Sequence, residues 1–196
     1  MKLILIPCGA TDWRDSGRLL GRVELSLTDD GRAKCDEWAG LLQEEPPDCI
    51  YHSSDELASE TAERIAARLE VPAKSAKGLD EIDVGLWAGL TREQLKSRYE
   101  SAYRQLCDAP LSVSAPEGEM FSSAIERITR SLRKQLKRNG NAVAGVVMRP
   151  LALAATRCEM EQRPMSEFWA TSMRPDVPVL LDCSTRPAQA TTVGTE

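Results

Sequence analysis

The chain has 196 residues, of which 42% are hydrophobic and 28% are charged; this size and composition indicate one globular domain with a sizeable core and exclude a disordered or fibrous protein. The formal charge of −5, from 25 basic and 30 acidic residues, argues against affinity for bulk nucleic acid or an anionic membrane. The chain has 1 histidine, His52, which excludes any mechanism that needs two.

The N-terminal part of the chain alternates short apolar runs with helical segments. Lys2–Pro7 is a continuous apolar run, which is typical of a strand buried on both faces. A cap followed by acidic residues begins a helix over residues 28–43. Cys49–His52 predicts a second strand, and a helix over residues 54–69 follows it.

The start of this second helix carries three features that bear on function. Ser53 with Glu56 fits a capping box. Asp55 and Glu56 place two carboxylates at a helix N-terminus, which would otherwise attract an anion. Each residue of a helix adds ~100° of rotation. By this rotation, Leu57 lies well off the apolar stripe of the helix.

The second half of the chain continues the alternation and ends in a polar segment. Its predicted elements are a short strand with a glycine-rich connection over 73–90, short helices over 91–99 and 100–107, a loop over 109–118, a long helix over 121–136 stopped by Gly140, a buried strand over 142–148, a helix over 150–159 and a strand over 177–182. Residues 184–196 are polar without periodicity, so we expect a disordered tail there.

This order of elements predicts one architecture. Strands that alternate with helices imply an α/β fold, a three-layer α/β/α sandwich with a mostly parallel central sheet, over residues 1–183. Ligands of open α/β sheets bind beyond the carboxyl ends of the strands. The candidate site therefore lies at three strand ends: Pro7–Gly9, His52–Ser54 and Met148–Pro150.

Cysteine spacing indicates whether a metal or cofactor is expected, and hydropathy indicates the cellular compartment. The 6 cysteines form no CxxC pair, so we expect no metal and no cofactor. The N-terminal apolar run is too short for a signal peptide, and no stretch approaches the ~20 apolar residues of a membrane span. We expect a cytoplasmic protein that binds neither membrane nor nucleic acid.

Seven short motifs, in order along the chain, resemble those of the histidine phosphatase superfamily in its phosphoglycerate mutase-like or alpha-ribazole phosphatase-like branch. They are Gly9–Trp13, Gly17–Gly21, Leu25–Gly31, Glu60–Ala62, Leu79–Thr91, Pro116–Glu119 and Phe168–Trp169. Each motif alone is weak, but the ordered set covers roughly residues 1–182. The resemblance implies a phosphoglycerate mutase-like fold and, in typical members, phosphoryl transfer through a phosphohistidine.

The positions that carry the family's chemistry are nevertheless changed in this chain. The resemblance implies an Arg-His-Gly end to the first strand, where this sequence has Pro7, Cys8 and Gly9. Leu57 stands where the family has a second phosphate-binding arginine, and its position off the apolar stripe predicts that it faces the pocket. Arg149 stands in place of the second histidine.

Two further positions complete this comparison. Glu81 occupies the usual proton-donor position, and Arg14 replaces an asparagine that commonly helps to hold phosphate. Phosphoryl transfer needs an in-line nucleophile and a dense set of cationic groups around the phosphate oxygens. Removing a nucleophile alone can cost about 10⁶ in rate, so the four losses predict an inactive site.

Cys8, Arg149 and His52 each admit two interpretations. Cys8 is either a replacement nucleophile, with Arg14 and Arg149 as anion binders, or a small residue that fills the space of the lost histidine. Arg149 either anchors an anion or forms a salt bridge with Glu81, and we favour the salt bridge. His52 is either a displaced base or a hydrogen-bonded structural residue, and we favour the latter.

The basic end of the long helix also has a simple explanation. Its five cations complement the helix dipole and are interpreted as a solvated face rather than a nucleic-acid patch: Arg130, Arg133, Lys134, Lys137 and Arg138.

The sequence therefore predicts a catalytically inactive protein. We expect it to bind a protein partner or a small phosphate-like anion, with Cys8, Arg14, Glu81 and Arg149 as candidate ligand-binding residues. The alternative is a phosphomonoesterase that uses Cys8 as nucleophile, with Arg14 and Arg149 binding the anion.

Overall fold

Strands and helices alternate along the chain in the computed structural model, which describes residues 2–139, 142–172, 177–184 and 188–194. The strands are β1 (Lys2–Pro7), β2 (Cys49–His52), β3 (Ala73–Ser75), β4 (Ala144–Met148), β5 (Val179–Asp182) and β6 (Gln189–Thr192). The α-helices are α1 (Asp12–Asp15), α2 (Asp29–Leu41), α3 (Glu56–Leu69), α4 (Arg92–Arg98), α5 (Glu100–Asp108), α6 (Phe121–Asn139), α7 (Pro150–Met160) and α8 (Phe168–Ser172). Short 3₁₀ helices are η1 (Gly85–Trp87), η2 (Pro110–Ser112) and η3 (Met165–Glu167).

The central sheet has the predicted, mostly parallel character. Its strand order is β3-β2-β4-β1-β5-β6. The first four strands are parallel to their neighbours, whereas β5 and β6 run antiparallel at one edge. The predicted α/β fold with a mostly parallel central sheet is confirmed.

Strand β1 is apolar from Leu3 to Pro7 because this part of it lies between two hydrophobic cores. Leu3 and Leu5 belong to the core that packs with α5, α6 and α7. Ile4 and Ile6 belong to the opposite core, with α2 and α3. Successive side chains of a strand point to opposite faces, so a strand covered on both faces has no polar positions.

Helix α3 starts differently from the prediction. Its N-cap is Asp55, whose carboxylate accepts a hydrogen bond from the backbone N–H of Ala58, so the predicted capping box of Ser53 and Glu56 is wrong. Ser53 instead donates its hydroxyl to Asp55 at 2.5 Å. A carboxylate at this N-cap satisfies a helix N–H and complements the positive end of the helix dipole.

The C-terminal segment contains a strand where the sequence predicts a disordered tail over residues 184–196. Gln189–Thr192 forms β6, which pairs with β5 from Asp182↔Gln189 to Val179↔Thr192. Backbone pairing at a sheet edge accommodates a polar segment that could not enter the core. Residues 185–187, 195–196 and Gly140, the predicted helix stop, lie outside the described residues. Within the described ranges, no helix has the length and apolar character to cross a bilayer.

Candidate functional site

The three predicted strand ends lie next to one another. Strands β1 and β4 are neighbours with Pro7 opposite Met148, and the N–H of Cys8 donates to the carbonyl oxygen of Met148 at 2.9 Å. Strand β2 pairs with β4 on its other side. The carboxyl ends of parallel strands meet at one edge of a sheet, so Cys8, Ser53 and Arg149 follow three adjacent strand ends as predicted.

A cavity of about 370 Å³ opens beside Cys8. Of the predicted site residues, Cys8, Arg14 and Glu81 line it. Its lining also includes residues that the sequence analysis did not single out: Arg18, Lys34, Trp38 and Ser172. Arg18 lies within one of the recognised motifs, but Lys34 and Trp38 belong to α2, and only the folded chain brings them to the strand ends.

The thiol of Cys8 is buried, with 4% of the residue exposed. Burial raises the pKa of this thiol well above its ordinary value, and the Asp55 carboxylate raises it further. The Arg149 guanidinium acts in the opposite direction but does not outweigh burial. A thiol in these surroundings is protonated at neutral pH, whereas nucleophilic attack requires the thiolate.

Glu81 is fully engaged by backbone N–H groups at the start of α7. Its Oε1 accepts from the N–H of Ala152 at 2.7 Å and from that of Ile82 at 2.8 Å, and its Oε2 accepts from the N–H of Leu151 at 2.9 Å. Burial raises the pKa of this carboxyl, and Arg149 and the three N–H groups partly oppose that rise. Glu81 thus occupies the N-terminus of α7, a position that could otherwise hold an anion.

Arg149 is 1% exposed and pairs with a different carboxylate from the predicted one. Its Nη1 lies 3.3 Å from Oδ1 of Asp55, and its Nη2 donates to the carbonyl oxygen of Val23 at 2.9 Å. The predicted salt bridge to Glu81 is wrong, because the oxygens of Glu81 bond to α7 and the guanidinium turns to the N-terminus of α3. The buried Nε of Arg149 has no hydrogen-bond partner in the part of the chain that the structure describes.

Leu57 and His52 take structural positions. Leu57 is fully buried in the apolar cluster that also contains Cys8 and Ile6. Leu57 is not among the described residues that line the cavity, so the prediction that it faces the pocket is wrong. Its side chain belongs instead to the core that α2 and α3 form with the sheet. His52 is buried, and its Nδ1 lies 2.7 Å from the carbonyl oxygen of Ser53, which supports the structural interpretation.

The site therefore contains acidic groups that already occupy its anion-binding elements. Asp55 takes the N-terminus of α3 and the Arg149 guanidinium, and Glu81 takes the N-terminus of α7. Among residues 2–139, 142–172, 177–184 and 188–194, no group of three histidine, cysteine or acidic side chains is arranged to hold a metal ion.

Comparison with known proteins identifies relatives over nearly the whole chain. A model of the histidine phosphatase superfamily (branch 1) matches residues 3–187. Phosphoserine phosphatase 1 of Hydrogenobacter thermophilus is 28% identical over 170 residues, which is 87% of this chain and 81% of that protein.

Solved structures show the same fold. YhfR of Bacillus stearothermophilus has a TM-score of 0.84 at 21% identity and covers 100% of this chain and 97% of its own. The alpha-ribazole phosphatase of Shigella flexneri has a TM-score of 0.79 at 20% identity, with 100% and 96% covered. At these identities the two structures establish the fold alone.

Proposed function

The chain belongs to branch 1 of the histidine phosphatase superfamily, and from that membership and the site geometry we propose that it is a non-catalytic member that binds a small anionic ligand in the cavity beside Cys8. The ligand class is a phosphorylated or carboxylated small molecule, held without hydrolysis. A cavity of about 370 Å³ is the size of a small-molecule site.

The observation that carries the non-catalytic part of the proposal is the placement of Asp55, whose carboxylate bonds to both Arg149 and the N-terminus of α3. Phosphoryl transfer depends on cations and helix N-termini that stabilise the charge of the transferred group. Here the Arg149 guanidinium and the N-termini of α3 and α7 are bonded to carboxylates of the chain itself. A phosphoryl group held against Arg149 and these two helix N-termini would meet carboxylates rather than an empty cationic site, so the proposed anion is assigned to the side of the cavity lined by Arg14, Arg18 and Lys34.

The anion-binding part of the proposal rests on the cavity lining. Arg14, Arg18 and Lys34 line it, against two acidic residues. Lys34 pairs with Glu37 across a solvent-exposed contact, which is weak enough to be exchanged for a ligand. Trp38 is 2% exposed and lines the same cavity, and its indole N–H has no hydrogen-bond partner within the described ranges. A ligand oxygen would satisfy this buried donor.

A second candidate function is a phosphomonoesterase with Cys8 as nucleophile. The supporting observation is that Cys8 lines the cavity together with Arg14. The raised pKa of the thiol and the engagement of Arg149 by Asp55 both oppose this candidate. The non-catalytic proposal is therefore the one that the geometry favours.

Turnover and binding, measured side by side, test the proposal. We expect no hydrolysis of p-nitrophenyl phosphate or phosphoserine above the level of Cys8→Ala. We expect phosphoserine or inorganic phosphate to bind in calorimetry and to change tryptophan fluorescence, with the change lost in Trp38→Phe.

Matched variants separate the cavity from general charge effects. Lys34→Ala should weaken binding by about tenfold, the effect of losing one charge-assisted contact, whereas Lys96→Ala on the exposed face of α4 should not change it. Hydrolysis that disappears in Cys8→Ala would establish the second candidate instead. Absence of any anion binding would refute the ligand assignment.

A further inference from the structure

A long groove runs along α6, away from the cavity beside Cys8. One depression of about 820 Å³ lies between α6, η2 and η3, and a second of about 480 Å³ adjoins it toward the end of α7. The two share Thr129, Arg133, Glu159 and Met165, so they form one continuous surface, here named the α6 groove. In the described part of the chain, no residue of the α6 groove lines the cavity beside Cys8.

The α6 groove has an apolar floor. Leu111 is 41% exposed and Met165 is half-buried, and both line the groove together with the buried Ile125. Exposed apolar surface that is contiguous and rimmed by polar residues marks interaction sites in soluble proteins. Methionine adapts its shape to different partners, which suits a docking surface.

The rim of the groove is basic, in a protein whose net charge is −5. Arg130 and Arg133 have Glu126 and Glu159 as ion-pair partners. Lys134 and Lys137 line the groove as well, and neither forms an ion pair within the described residues. The helix dipole accounts for cations near the end of α6, but it does not account for the exposed apolar floor beside them.

We propose that the α6 groove docks an acidic amphipathic segment of a partner protein. The apolar residues of that segment would cover Leu111 and Met165, and its carboxylates would face the lysines of the rim, as when an amphipathic helix lies in a hydrophobic groove. Charge complementarity selects an acidic occupant. The apolar floor and the acidic net charge of the protein favour a peptide over a nucleic acid. This inference does not depend on the proposed function of the cavity beside Cys8.

Fluorescence anisotropy with the full chain tests the docking surface. The probe is a labelled amphipathic peptide that carries glutamate on one helical face and leucine on the other, and a scrambled peptide of the same composition is its control. We expect saturable binding of the amphipathic peptide that weakens as salt is added. NMR signals that shift on binding should belong to α6 and to the Met165 methyl group.

Two matched pairs of variants locate the contact. Lys134→Glu with Lys137→Glu should weaken binding by about tenfold or more, whereas Lys96→Glu with Arg98→Glu on α4, the same change in net charge, should leave it nearly unchanged. Leu111→Ser should weaken binding by about threefold to tenfold, and Leu86→Ser, at a comparably exposed leucine of η1, should not.

Four results would overturn the proposal. The first two are equal weakening by the two charge-reversal pairs and equal binding of the scrambled peptide. The third, tighter binding of a single-stranded oligonucleotide than of the amphipathic peptide, would assign the groove to nucleic acid. The fourth, failure of the amphipathic peptide to bind at all, would leave the rim as a solvated helix face.

Discussion

The carboxylate of Asp55 interacts with three hydrogen-bond donors. Its Oδ1 accepts from the N–H of Ala58 and lies 3.3 Å from the Arg149 guanidinium, and its Oδ2 accepts from the hydroxyl of Ser53. Because Arg149 is almost completely buried, the negative charge of Asp55 is what makes a guanidinium acceptable at this depth. Burial of an arginine so close to the cavity is therefore a consequence of the acidic cap of α3.

The variant Asp55→Asn tests this dependence. Asparagine keeps one oxygen for the cap of α3, and its amide NH2 can donate to the hydroxyl oxygen of Ser53, so the substitution removes mainly the charge. We expect a loss of about 3 kcal/mol in the free energy of unfolding, because a buried guanidinium would be left without its counter-ion. Urea denaturation monitored by circular dichroism measures this loss.

A double variant shows whether the two charges act as a pair. Asp55→Asn combined with Arg149→Met should recover most of the stability, because neither buried charge then remains. If instead the losses of the two single variants simply add, Asp55 and Arg149 stabilise the fold independently, and the counter-ion role of Asp55 is wrong.

At the scale of elements, an ion-pair cluster fixes α2 against α3. Arg64 donates to both carboxylate oxygens of Asp36, at 2.8 and 2.6 Å, and Nε of Arg68 lies 3.0 Å from the same carboxylate. The hydrogen bonds from Arg64 lower the pKa of Asp36 below its ordinary value of 3.8. A carboxylate with a lowered pKa in the folded state stabilises that state only while it is ionised.

The pH dependence of this contribution follows from its sign. Stabilisation by Asp36 is complete above the ordinary pKa of an aspartate and is lost as the pH falls through the lower value of the folded state. Asp36→Asn should therefore lower the urea midpoint at neutral pH, and the difference from the parent should disappear in acid. Glu63→Gln, at an exposed carboxylate of α3, should show little difference at either pH. A difference for Asp36→Asn that stays constant with pH would contradict this account.

Elements that the sequence predicted well are those whose cause is local. The apolar runs of β1, β2 and β4 could be placed from the sequence, because a strand buried on both faces is recognised from its own residues alone. Cys8 and Arg149 could be placed with them, because they directly follow β1 and β4. The pairing of Arg149 with Asp55, 94 positions earlier, could not be predicted from the sequence, because it depends on which strand ends meet. Strand β6 was missed because its polar residues owe their structure to pairing with β5.

For the whole molecule, the fold and the chemistry of its site are separable. Both cores pack against the central sheet, and the family model matches residues 3–187, whereas the resemblance described above implies that Pro7, Cys8, Leu57 and Arg149 stand at positions where typical members have arginine or histidine. Two of the four positions, Cys8 and Leu57, lie within one core, but the many other residues of that core maintain its packing. A scaffold of this kind can lose its activity without losing its structure.

The final prediction tests this separation with the quadruple variant Pro7→Arg, Cys8→His, Leu57→Arg and Arg149→His. We expect the variant to be less stable than the parent, because the new guanidinium at position 57 enters an apolar cluster. We also expect it to hydrolyse p-nitrophenyl phosphate at least about a hundredfold faster than the parent, because Cys8→His supplies a nucleophile and Pro7→Arg supplies a cation next to it in the chain. Arg149→His also removes the guanidinium that pairs with Asp55. The Asp55 carboxylate can then pair with the arginine introduced at position 57.

The matched control carries the other three changes with Cys8→Ala, so that it has the cationic groups without a nucleophile. It should fold like the quadruple variant and remain inactive, which separates catalysis from improved binding. A quadruple variant that folds but does not hydrolyse phosphomonoesters would indicate that the carboxylate of Asp55, rather than the identity of the four substituted residues, keeps a phosphoryl group away from the helix N-termini. In that case Asp55→Asn added to the quadruple variant is the change that should start turnover.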